Sequence, residues 1–159
     1  MTKRINLNFI FVIAAAIILS VSFSTIVSYR LFQKEVFADL ASFAGLLEEM
    51  DVLDKMKKEG VVQPEDELRI TWIAEDGVVI YDSYTRGDVL ENHKDRLEII
   101  KAMQAGEGTS IRKSQTMGRN IFFYAKKTAD GTIIRIAKEA ESIWSVYKNM
   151  LPVTLICAF

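Results

Sequence analysis

Three hydrophobic patterns follow one another along the chain. The first is a continuous apolar run. Arg4 and Arg30 enclose 25 residues without a charge, and the centre, Phe9 to Val27, reads FIFVIAAAIILSVSFSTIV. A helix rising about 1.5 Å per residue crosses a hydrocarbon core of about 30 Å in about 20 residues. Residues 9–29 therefore predict a transmembrane helix. The competing reading is a cleaved signal peptide with Lys3 and Arg4 as its basic start. Such a peptide has an apolar region of only about 7–15 residues, and the small residues Ala14-Ala15-Ala16 fall inside the run instead of after it. The length argument favours an uncleaved span.

The second pattern is helical. From Leu31 to Lys58, the residues Val36, Leu40, Phe43, Leu47 and Met50 recur at spacings of 4, 3, 4 and 3, which puts them on one stripe. No proline interrupts the segment, and Gly60 marks its expected stop. The stripe serves either as a core face laid on a sheet or as a dimer seam. It covers about two heptads, where a coiled coil needs about three or four. Core packing is the preferred use, and the two are compatible.

The third pattern has a period of two and begins after Pro64. Leu68, Ile70, Trp72 and Ala74 alternate with Arg69, Thr71 and Ile73, Asp76-Gly77 supplies a hairpin turn, and Val78 to Ser83 returns as a second strand. Tyr84 to Glu91 reads as a loop. Asn92 is placed to cap a short helix, Asp95 favours its first turn, Leu97, Ile100 and Met103 share a face, and Gly106 ends it. Thr109 to Thr116 and Ile121 to Lys127 read as strands around a turn at Met117 to Asn120. Asp130-Gly131 opens a last strand, Thr132 to Lys138. From Glu139 a helix carrying Ile143, Trp144 and Tyr147 leads into MLPVTLICAF at 150–159. Ten residues reach only about 15 Å, so this tail is read as the start of a second, truncated transmembrane helix, or alternatively as a buried C-terminal strand. The order predicts an α+β domain: five mainly antiparallel strands, a long N-terminal helix, and helices on one face of the sheet.

Composition sharpens this picture. The 159 residues are 50% hydrophobic and 26% charged with a net charge of −1, which excludes a disordered chain and a basic field for nucleic acid. All 21 acidic side chains, and all of the 20 basic ones except Lys3, Arg4 and Arg30, lie in residues 31–149, which therefore carry −4. Lys3 and Arg4 before the first span place residues 1–8 in the cytoplasm and 31–149 outside. Cys157 is the only cysteine, so the domain at 31–149 relies on packing without disulfides.

Several local stretches carry a family likeness. They are Arg69-Ile-Thr-Trp-Ile, Asp76-Gly-Val-Val-Ile-Tyr-Asp82-Ser83, and Glu91-Asn92-His93 followed by Arg96 and Glu98-Ile99. Thr109-Ser-Ile-Arg112 followed by Ser114 and Thr116, Tyr124-Ala-Lys and Ile134-Arg135-Ile-Ala continue the set. Together they resemble the extracytoplasmic PAS-like sensor domain (single Cache, or PDC-type) of bacterial membrane sensor histidine kinases of the phosphate-regulon and cell-wall type. The resemblance covers about 31–149 and both flanking apolar runs. Leu97 stands where that pattern usually has proline. The resemblance implies a two-component signalling parent with ATP and magnesium in a kinase core that this chain does not contain. It also implies a homodimer, a response regulator served by the missing part, and a pocket for a small molecule.

The candidate site residues fall into two groups. Asp82 and Arg96 suit a bidentate carboxylate–guanidinium pair pinning the loop between them, with Glu91 and Glu98 as alternative partners and Asn92 as a cap. A structural latch is favoured there over a ligand clamp. Tyr81, His93, Arg112, Tyr124 and Arg135 are the candidate ligand-binding residues, the two arginines suiting a carboxylate. His93, the only histidine, has no metal-ligating neighbours at useful spacing. No catalytic residue, metal site or cofactor is expected within this chain: there is no G-x-S-x-G, no P-loop, and no nucleophile with an evident base. The expected function is sensing outside the membrane and transmission across it. Alternatives are the input domain of a chemoreceptor or cyclic-dinucleotide enzyme, and a membrane-anchored interaction protein that meets a partner membrane protein.

Overall fold

A computed structural model describes residues 2–50, 68–84, 92–113 and 119–140. The chain divides into two units, one of residues 1–34 with 143–159 and one of residues 35–142. In the first unit the described part is helical, within α1 (Thr2–Glu49), and this is the one described helix long and apolar enough to cross a membrane. Its large side chains from Phe9 to Val27 are mostly exposed, as a lipid-facing surface requires.

The second unit is an α+β domain. After α1 come β1 (Leu68–Ile73), β2 (Val79–Asp82), α2 (Leu97–Ala105), β3 (Glu107–Lys113), β4 (Asn120–Lys127) and β5 (Ile133–Ala140). The strands form one open sheet in the order β2-β1-β5-β4-β3, and all four pairings are antiparallel. The expected five-stranded sheet is therefore present. Its strand bounds differ in detail: β3 begins earlier, at Glu107, and β5 runs on to Ala140, so Glu139 extends a strand instead of opening a helix. The expected helix end at Lys58, the stop at Gly60, Glu91, and everything from Ile143 to Phe159 lie outside the described residues.

Helices cover both faces of the sheet, not one face as the element order predicts, because β1, β4 and β5 bury side chains on each side. On one, Ile70, Trp72, Tyr81, Phe122, Tyr124, Ile134 and Ile136 pack with Val36, Leu40, Ala44 and Leu47 of α1. Phe37 meets Phe122 edge-on, with ring centroids 5.5 Å apart. The stripe thus follows 36, 40, 44 and 47. Ala44 is fully buried, Phe43 packs at the margin, and Met50 is 67% exposed, because a straight helix drifts off a strict seven-residue repeat. Glu48 fixes the end of that contact: its carboxylate pairs with Lys126 Nζ at 2.7 Å and accepts the Ala129 N–H at 3.3 Å.

The other face packs on α2 through Ile73, Val79, Ile99, Ala102, Ala125 and Ile133. Ile73 and Thr71, which alternation alone assigns to an outer face, are both fully buried here. α2 is rotated from the expectation. Leu97 and Ile100 are exposed, while Glu98, Ile99 and Ala102 face the sheet. The sheet beneath the start of α2 is polar, so a carboxylate, not Leu97, is the side chain it accepts. The helix also begins later than expected, with Arg96 at its N-cap position and no side-chain cap. Asn92 instead ties this segment to the β1–β2 turn. Its Oδ1 accepts the Lys94 N–H at 2.8 Å, its Nδ2 donates to the Asp76 carbonyl at 3.2 Å, and His93 N–H donates to the Gly77 carbonyl at 2.8 Å. Gly77 permits this with φ +91°; a Cβ there would lie 2.5 Å from Asn92 Oδ1.

Gly108 is where α2 comes closest to β3. A Cβ on it would stand 2.1 Å from the Glu98 carbonyl oxygen and 2.9 Å from the Ala102 nitrogen. Gly108→Ala is expected to lift α2 and destabilise the domain by about 2–3 kcal/mol. Gly45→Ala, inside α1 with nothing within 4 Å of the new methyl, is expected to stabilise it by about 0.5–1 kcal/mol. Urea unfolding of the chain in detergent, followed by tryptophan fluorescence, measures both. Equal effects of one sign would contradict the packing described.

Candidate functional site

The period of two places a row of polar side chains on the α2 face of the sheet. Thr71 of β1 stands opposite both Asp82 of β2 and Arg135 of β5, Arg135 opposite Ala125 of β4, and Phe123 of β4 opposite Ser110 of β3. Arg69 and Arg112 lie two residues from Thr71 and Ser110, on the same face. The row holds two clusters.

In the first, Asp82 collects four donors. Arg69 Nε lies 3.1 and 3.0 Å from its two oxygens, and Nη2 donates to Oδ2 at 2.8 Å. The Thr71 hydroxyl donates to Oδ2 at 3.2 Å and the Tyr84 N–H to Oδ1 at 2.9 Å. Burial alone raises a carboxyl's pKa. Here the Arg69, Tyr84 and Thr71 hydrogen bonds and the Arg69 charge outweigh it and hold Asp82 below the usual carboxylate range.

The second cluster centres on Glu98, which is 0% exposed. It forms an ion pair with Arg112 and accepts the Ser110 hydroxyl at 2.6 Å. Arg135 Nη1 lies 3.9 Å from the same carboxylate and 2.9 Å from His93 Nδ1. A guanidinium only donates, so His93 Nδ1 is the acceptor in that contact. Both guanidiniums attend the ring of Phe123, Arg112 at 3.9 Å and Arg135 at 5.1 Å from its centroid. Burial lowers the Arg135 pKa to about 10; Glu98 opposes the shift, and the charges of Arg69 and Arg112 add to it. Arg135 remains a cation at neutral pH, and its buried Nε has no hydrogen-bond partner among the described residues.

Three of the five predicted ligand-binding residues, His93, Arg112 and Arg135, are thus brought together. Tyr81 and Tyr124 are not: they belong to the α1 face. The Tyr124 hydroxyl donates to Glu107 Oε2 at 2.7 Å, and burial together with Glu107 pushes its pKa up. The predicted latch is also repartnered. Asp82 is held by Arg69, its neighbour across the hairpin, and Glu98 by Arg112. Arg96 is exposed, and its carbonyl receives the first N–H groups of α2. Sequence reasoning gave no role to Arg69, Thr71, Ser110 or Phe123. Counting outward from the Asp76-Gly77 turn would have put Thr71 opposite Asp82 and Arg69 on the same face.

Among the described residues of these two clusters, three guanidiniums face two carboxylates, an excess of one positive charge that suits an anion. Among the described residues no group of three His, Cys, Asp or Glu side chains is arranged to hold a metal ion.

No family model and no curated protein matches the chain. Solved structures similar to it include the extracellular domain of rpHK1S-Z16, a protein assigned as a histidine kinase. The identity is 13% and the TM-score 0.41, over 60% of this chain and 39% of that one. Another is the Bacillus subtilis YkuI protein, which has an EAL domain and was solved with its substrate c-di-GMP and calcium, at 11% identity and TM-score 0.41 over 72% of this chain and 35% of that one. The chain therefore spans well under half the length of either. At these scores the likeness adds no argument about function.

Asp82→Asn tests the first cluster. A carboxyl with a depressed folded pKa contributes stability above its unfolded pKa and loses it as pH falls through the folded value. The Asn variant is expected to be less stable than the parent at pH 7, and the gap is expected to close as pH falls below the usual carboxylate range. Urea midpoints at pH 7 and at about pH 3 measure it. A gap that widens in acid would contradict the assignment.

Proposed function

We propose that this chain is the sensing and transmembrane-transmission module of a two-component sensor histidine kinase. In this reading residues 31–149 form a PAS-like, single-Cache domain outside the membrane, the N-terminus is cytoplasmic, and residues from 150 begin a second span. The observation that carries the reading is α1. One helix supplies both the apolar stretch of a span and the stripe Val36, Leu40, Ala44 and Leu47 that packs on the sheet. The strand order β2-β1-β5-β4-β3, with a long helix on one face and a buried polar cluster on the other, supports the PAS-like assignment. The parent's autophosphorylation, its ATP and magnesium, its homodimeric state and its response regulator belong to this proposal, as does the absence of catalysis within the chain itself.

The stimulus fits a small carboxylate at the second cluster. Arg135 is buried and positively charged, and one of its N–H groups has no acceptor among the described residues. A carboxylate is the planar acceptor that a guanidinium matches best.

Two measurements test the reading. In a Cys157→Ser background, Met50→Cys in intact cells is expected to react with a membrane-impermeant maleimide, and Thr2→Cys only after lysis; the reverse pattern would overturn the topology. In detergent, a saturating small carboxylate is expected to raise the melting temperature by about 5 °C. Arg135→Met is expected to abolish that rise, and Arg96→Ala to preserve it. Equal stabilisation by small amines would remove the anion assignment.

A further inference from the structure

β3 is an edge of the sheet among the described strands, and three observations say what it is built to meet. The first is the direction of its backbone groups. Lys127 N–H donates inward to the Gly106 carbonyl, while the Thr109 carbonyl is met from outside by Lys101 Nζ at 3.1 Å. Strand residues alternate in this respect, so Glu107, Thr109, Ile111 and Lys113 present their N–H and C=O groups outward. The second is a groove of about 370 Å³ beside that edge, walled by Phe37, Ala38 and Ala41 of α1 and by Glu107, Thr109 and Tyr124. The third is an apolar knob two residues further along. Ile111 is 39% exposed, on the same face as the groove.

Resting on the homodimeric reading above, we propose that β3 pairs antiparallel with β3 of a second copy of this chain, about a two-fold axis through Ser110. This register follows from the charges. It sets Glu107 opposite Lys113 of the other copy, and Lys113 opposite its Glu107, so both ends of the pairing are complementary. It sets Thr109 opposite the partner's Ile111, which drops into the groove between Phe37 and Ala41. The arrangement is self-complementary, each copy giving one knob and one hole, as a two-fold interface demands. The outward N–H of the partner's Ile111 takes the Thr109 carbonyl from Lys101. That lysine is the edge's guard in the free chain, and it is exposed and free to swing into water. Pairing turns two five-stranded sheets into one continuous sheet.

The test uses the full chain in detergent or nanodiscs with Cys157→Ser. Directly opposed positions that do not exchange hydrogen bonds lie about 4.5 Å apart, within disulfide range, so Ser110→Cys is expected to give a dimer on mild oxidation. Because Ser110 also contacts Glu98, Thr109→Cys with Ile111→Cys is the second cross-link, and it is expected to form between copies. Lys113→Glu sets like charges opposite each other at both ends and is expected to lower the cross-link yield about fivefold or more. Adding Glu107→Lys is expected to restore it. A monomer by light scattering, a dimer that cross-links at neither site, or a Lys113→Glu chain that cross-links as well as the parent would each overturn the proposal. Capture of an extended peptide from another protein on this edge, with no β3–β3 cross-link, would do the same.

Discussion

A carboxylate taken out of water is tolerated only where charge and hydrogen bonds replace its hydration. Glu98 is such a group, and its needs decide where α2 sits. Gly108 has no side chain and lets the helix backbone come close to β3. Closeness alone would leave α2 free to slide along the strand. Ser110 and Arg112, the next two residues on the same face, remove that freedom because both must reach the same carboxylate. Phe123 completes the arrangement from β4 by giving both guanidiniums an aromatic surface. Glycine, hydroxyl and guanidinium thus occur on alternate residues of one strand, each with a separate reason to be there.

The two faces of the sheet use different physics. Against α1 the contact is apolar, and the continuous hydrophobic character of Ile133–Ile134 and Ile136–Ala137 reflects a strand buried on both sides. Against α2 the apolar contact is confined to a small cluster around Ile99, and the remainder is charged. An apolar face tolerates small shifts with gradual loss of contact. A charged one loses a whole hydrogen bond at a time and is the more specific of the two.

This difference also governs how much could be read from the sequence. The strands, the Asp76-Gly77 and Asp130-Gly131 turns and the Gly106 stop follow local rules, and the structure has all of them. The stripe on α1 was legible apart from its drift, which exchanges Phe43 for Ala44 and leaves Met50 outside. The polar pairings were not legible in the same way. Asp82 has Arg69 and Arg96 within similar reach along the chain, and only the hairpin register decides between them. For the face of α2, hydrophobicity nominates Leu97 and Ile100, whereas the sheet surface beneath the start of the helix is charged and accepts Glu98. The family resemblance groups Tyr81 and Tyr124 with Arg112 and Arg135, although alternation along the strands puts them on the opposite face.

β5 is where the two faces meet within one strand. Arg135 points to the charged side, while Ile134 and Ile136 on either side of it belong to the core shared with α1. A displacement of the β5 backbone is therefore felt by both. His93, the other partner of Arg135, extends the connection to the β1–β2 turn through its N–H and the Gly77 carbonyl. On the proposed reading this sets a condition on any stimulus. A guest moves an equilibrium only by the difference in its affinity for the two states, and about 1.4 kcal/mol of difference shifts it about tenfold. A guest touching only apolar walls that look the same in both states would bind without signalling. One that competes with Glu98 and His93 for Arg135 changes the partners of a buried charge. Such a change costs enough to favour one position of β5, and with it one position of α1, over the other.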